Sequence, residues 1–179
     1  MIDIIKDHFR TAICSAFAKE RVALNEISQQ YLIDMLSGFV SSNQMGPDPG
    51  LPTLTLLYRD ALEATGAKRI IAFKRLGDMS LFLSGFFIDY VRHTMNGVGY
   101  YIDMGSAAYD SIARESSNPV FSELSKKFVP VVGVLNTASA GALTHEDLID
   151  MYVRDTTSLF IRRKLASKGS VVINTLGIG

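Results

Sequence analysis

Asp89, Arg92 and His93 are the residues of this chain whose types and spacing could most readily do chemistry. On a helix, the i, i+4 interval sets Asp89 and His93 on one face with Arg92 beside them. A carboxylate next to an imidazole can share a cation or relay a proton. The plainer outcome of the same spacing is a charge pair at a helix end, with Arg92 neutralising Asp89. Tyr90, Tyr100, Tyr101 and Tyr109 stand close by in sequence, just after Phe86 and Phe87. Aromatic rings with polar tips gather at pockets and interfaces, and they also fill cores while their hydroxyls reach water or a carbonyl. The candidate ligand or interaction site is therefore Asp89, Tyr90, Arg92, His93, Tyr100, Tyr101 and Tyr109.

Other chemistries find no pattern. Di-metal bundles use Glu-x-x-His twice, and the three histidines (His8, His93, His145) and six glutamates never make that motif. Haem would have His8, His93 or Met104 as nominal axial ligands, but there is no Cys-x-x-Cys-His. Cys14 sits beside Ala12, Ala16 and Phe17 and reads as a small buried apolar group. Ser84-Gly85 lacks the Gly-x-Ser-x-Gly of a hydrolase elbow, so Gly85 reads as a place where a neighbouring helix crosses closely. The glycines of NGVGYYIDMG have neither the preceding strand nor the lysine of a phosphate loop. No catalytic residue, metal or cofactor is assigned. The expected function is a non-catalytic helical binding or interaction module, ligand-responsive and self-associating. The alternative is a cofactor- or metal-binding helical-bundle enzyme using the Asp89/His93/tyrosine cluster.

The elements that must position these residues centre on DMSLFLSGFFIDYV, residues 78–91. From Met79 to Ile88 it carries no charge. A helix that is apolar all round must be buried on all sides or in a membrane, and a bilayer takes about 20 such residues. The run is shorter and reads as a buried core helix over about 78–94. Ahead of it, helices are expected over 2–19, from an Asn25 N-cap through EISQQYLIDMLSGFV, from Thr53 to a Gly66 stop, and from Ala67 to Leu76. Gly77-Asp78 then ends one helix and caps the next. In the second helix Ile27, Tyr31, Met35 and Phe39 recur every four residues, with Leu32 and Leu36 alongside. Lys68, Arg69, Lys74 and Arg75 are expected to face solvent. After the Asn96–Gly99 turn, YYIDMGSAAYDSIARES resumes helical spacing. Asn118-Pro119 opens an element running to about Thr137 with a kink at Pro130. A last helix runs from Thr144 to Gly169.

Helices without a run of alternating strands predict an all-α fold: seven or eight helices in one domain, 1–179, around the central buried helix. SSNQMGPDPGLP, 41–52, is the clear loop. The tail, 170–179, holds Val171, Val172, Ile173, Leu176 and Ile178 without a charged side chain, and is expected to dock into a groove of its own domain or of a second subunit.

A 179-residue chain that is 47% hydrophobic can bury a large core. Eighteen basic residues balance eighteen acidic ones, so nothing global supplies the basic face nucleic acid needs, and little repulsion opposes a homodimer. A protein or a small apolar ligand is the expected partner. No membrane span is expected. One cysteine fits a reducing compartment, and Asp3 and Asp7 stand where a signal peptide would be basic and then apolar. A cytoplasmic location follows.

RLGDMSLFLSGFF, YYIDMGSAAYDSIA and LSKKF, in that order and spacing, resemble a group of uncharacterised helical bacterial proteins, from about Tyr31 to Leu165. The resemblance implies a bacterial origin and a helical fold. It implies no activity, cofactor or catalytic residue.

Overall fold

The computed structural model describes residues 2–41 and 53–142. They form eight helical segments: α1 (Ile2–Glu20), α2 (Glu26–Ser41), α3 (Leu54–Glu63), α4 (Gly66–Phe86), α5 (Ile88–Arg92), α6 (Gly97–Ser116), α7 (Pro119–Lys126) and α8 (Phe128–Ala142). The fold is an all-helical bundle. None of these helices is long and apolar enough to cross a membrane. The helix expected over 144–169, the tail and residues 42–52 lie outside the described residues; Ser41, placed in the loop by sequence, closes α2.

Three of the starts have a clear local cause. Asn25 Oδ1 accepts from the Ser28 amide at 2.8 Å and opens α2. Thr53 Oγ1 accepts from the Leu56 amide at 3.4 Å and opens α3. Asn118 Oδ1 accepts from the Val120 amide at 2.9 Å, with Pro119 at the first position of α7, where a missing N–H costs nothing. In α1, Phe9, Ile13, Ala16 and Phe17 form one buried stripe.

The central helix is α4, packed against α3, α6 and α8. Leu76 to Leu81 are buried without interruption, and Phe82 and Phe86 are 1% and 5% exposed. Its limits differ from the sequence expectation. Rather than breaking at Gly77-Asp78, α4 runs straight through both and ends at Phe86, and a separate turn, α5, follows Phe87. A Cβ at Gly77 would stand 2.5 Å from the Tyr109 ring, so the glycine serves helix crossing rather than helix ending. Gly66, expected as a stop, instead begins α4 at φ +56° after α3 has closed at Glu63. The element after Pro119 is likewise two helices, divided at Lys127. The division falls where Pro130 acts, since it has no amide to give the Lys126 carbonyl four residues earlier, the last residue of α7.

Gly85 does lie at a crossing: a Cβ there would stand 2.6 Å from Leu135 Cβ of α8. Cys14 is exposed rather than buried, since the buried face of α1 is taken by Ile13 and Phe17. Arg69 is also not a free surface cation. It reaches Glu115 of α6 at 2.6 Å and the Ala61 and Leu62 carbonyls at the end of α3, each at 3.4 Å.

Candidate functional site

The site is built where α2 passes α4. Side chains join these helices. On α4, Ile71, Lys74, Arg75 and Asp78 fall at i, i+3, i+4 and i+7, one face of the helix. On α2, Tyr31, Asp34, Met35, Gly38 and Phe39 make the corresponding stripe. The two stripes enclose a groove of about 520 Å³, within the size range of small-molecule sites.

At its floor is a carboxylate inside the apolar core. Asp78 is 6% exposed, and burying a charge is costly unless it is paired and hydrogen-bonded. Here it is both. Tyr31 from α2 and Tyr109 from α6 donate to Oδ1 at 2.5 and 2.7 Å, and Lys74 donates to Oδ2 at 2.5 Å. The Lys74 ammonium also stands 5.1 Å from the Tyr31 ring centroid. Burial, and then the adjacent Asp78 charge, push both phenols well above the ordinary tyrosine range. Both hydroxyls are therefore held as donors, and neither is tuned to act as a base or nucleophile at neutral pH.

The rest of the wall is apolar, from Met35, Phe39 and Ile71. Phe39 stacks on Phe82 at 4.5 Å between centroids and joins α2 to the core at a second point. Asp34, at the rim, pairs with Lys6 at 3.0 Å and accepts from Gln30 at 3.2 Å. The hydrogen bond from Lys6 leads the causes that hold its carboxyl below the usual carboxylate range.

The residues singled out by sequence are distributed over three places. Asp89, Arg92 and His93 are exposed on α5 and the turn after it; the Asp89 carboxylate pairs with Arg92 at 3.5 Å, and His93 Nδ1 lies 2.5 Å from the Asp89 carbonyl oxygen. Tyr100 and Tyr101 meet edge to face at 5.7 Å on the first turn of α6, where the Tyr100 hydroxyl is 2.8 Å from Thr55 Oγ1. The Tyr90 side chain lies outside the described residues. Tyr109 is the member of the set that joins the buried carboxylate. Among the described residues, no group of three or more His, Cys, Asp or Glu side chains could hold a metal ion.

Asp78, Lys74 and Tyr31 were not among the sequence candidates. Asp78 read as an N-cap because glycine precedes it. The available signal was a carboxylate bordering ten uncharged residues with a lysine four positions earlier, an interval that sets Lys74 beside it on a helix.

No protein-family model, curated protein or solved structure matches the chain.

Proposed function

We propose that the protein is a non-catalytic binding module that takes a small apolar ligand in the groove between α2 and α4. One observation carries this reading: a groove of about 520 Å³ with apolar walls, floored by a carboxylate that already accepts from Tyr31, Tyr109 and Lys74. Such a floor orients and seals more readily than it reacts. Tyr31, held at the floor by Asp78, would couple occupancy to the core, as a ligand-responsive module requires.

The reading extends to self-association as a cytoplasmic homodimer. Net charge is zero, and Tyr58 and Leu62 of α3 remain exposed. Mass in solution, measured on the full chain and after deletion of 170–179, tests the dimer and the contribution of the tail.

The groove is tested by filling it. A Cβ at Gly38 would meet no atom within 4 Å, so Gly38→Phe places a ring in the groove without disturbing the core. Wild-type protein should bind an apolar fluorescent dye at one saturable site, and the variant should lose that site with a melting temperature no lower than that of wild type. Equal dye binding by both proteins would remove the groove as the site.

A further inference from the structure

We infer that the groove selects a monoanionic amphiphile, its apolar body lying along Met35, Phe39 and Ile71 and its carboxylate-type head held by Arg75. This inference rests on the groove reading above and adds the chemistry of the ligand.

The charges of the groove decide the matter. Asp34 is matched by Lys6 at 3.0 Å. Asp78 is matched by Lys74 at 2.5 Å, and both tyrosine hydroxyls are directed at its other oxygen. Arg75 is exposed, and no acidic side chain pairs with it among the described residues. Among the described residues, the groove therefore presents one positive charge without an acidic partner. A guanidinium offers a planar fork that matches a carboxylate with two parallel hydrogen bonds.

The apolar side is equally specific. Ile71 is 66% exposed although it lines the groove. It lies one helical turn before Arg75 on the same face of α4, so a ligand can cover Ile71 while its head reaches the guanidinium. The volume suits a small molecule, whereas a helix laid in a groove needs anchor positions over several turns. A lipid surface attracts clusters of basic residues, and here the neighbouring cation, Lys74, is already paired with Asp78. The proposal is accordingly a free amphiphile rather than a membrane.

The test is a calorimetric titration of the full chain with decanoate and with decanol, each below its aggregation limit. Wild-type protein should bind decanoate about fivefold more tightly than decanol, the size of effect an exposed ion pair supplies, and added salt should shrink the difference. Arg75→Gln should bind both equally, at the affinity wild type shows for decanol. Gly38→Phe, checked by its melting temperature, should bind neither. Equal affinities in wild type, or a preference that survives in Arg75→Gln, would overturn the anionic head while leaving the groove, provided Gly38→Phe still blocks both. Binding of decanoate only from vesicles would overturn the free-amphiphile assignment in favour of a membrane. Failure of wild type to bind either compound, or undiminished binding by Gly38→Phe, would overturn the groove itself.

Discussion

The ring of Tyr109 occupies the space that a side chain at Gly77 would need. Its Cε1 and Cδ1 lie 2.5 and 2.6 Å from where that Cβ would stand, and its hydroxyl donates to Asp78, the next residue, at 2.7 Å. One glycine thus lets α6 approach α4 closely enough to bring a fully buried phenol to a buried carboxylate.

That closeness gives two glycine substitutions opposite signs. Alanine in a helix interior is ordinarily favoured over glycine by about 1 kcal/mol. At Gly38, where a Cβ meets open space, Gly38→Ala should stabilise by about that amount. Gly77→Ala should destabilise by about 1–3 kcal/mol through overpacking against Tyr109. Denaturant unfolding of both variants is the check; a stabilised Gly77→Ala would show that the contact relaxes without cost.

Removing the shared acceptor should cost more than removing one donor. Tyr109→Phe should lose about 1 kcal/mol, the net worth of one hydrogen bond. Asp78→Ala should lose about 3 kcal/mol or more, because it strands two tyrosine hydroxyls in or near the core as well as opening a void. Combining the two changes should be less than additive, as for members of one network.

The phenols also set an alkaline limit. Both are pushed above the usual tyrosine value of 10.0, by burial and then by Asp78. A group whose folded value is raised contributes stability that is whole below its unfolded value and lost as pH climbs toward the folded one. Stability should therefore fall above pH 10, and Tyr31→Phe/Tyr109→Phe should flatten that limb. In an ultraviolet tyrosinate titration, these two of the seven tyrosines should ionise only with unfolding.

Glu123 predicts the acid limb. Partial burial raises its carboxyl, but hydrogen bonds from Lys127 and Asn25 outweigh this and hold it below the usual 4.5. Its contribution is present above that value and fades as pH drops through the lower, folded one. Glu123→Gln should lower stability at neutral pH and reduce the acid dependence, measured as unfolding midpoint against pH.

Phe86 tests the centre of the bundle. It is 5% exposed and contacts Phe9 edge to face at 5.8 Å and Phe82 stacked at 5.7 Å. Phe86→Ala should cost about 3–5 kcal/mol by denaturant unfolding; a loss below about 1 kcal/mol would mean that the ring is not core.

Much of the fold was legible because helical periodicity and caps act locally. Asn25, Thr53 and Pro119 mark helix starts through their own hydrogen bonds or fixed φ, and the apolar run after Asp78 marks burial. Gly77-Asp78 misled because the same dipeptide that ends one helix and caps another also suits a close crossing beside a buried acceptor. Which applies depends on Tyr109, 32 positions away from Gly77. The groove was illegible for a similar reason. The stripe of Tyr31, Met35 and Phe39 was visible, but that α4 faces it across a gap is a property of how the helices are placed.

Tyr31 and Tyr109 both donate to Oδ1 of Asp78, and a carboxylate oxygen has only two lone pairs to share between them. The two phenols therefore fill both acceptor positions of that oxygen. Neither donor has to give way to the other, and loss of either leaves an acceptor site of a buried carboxylate empty. A single oxygen atom on α4 thus pins two other helices, α2 and α6, at one point.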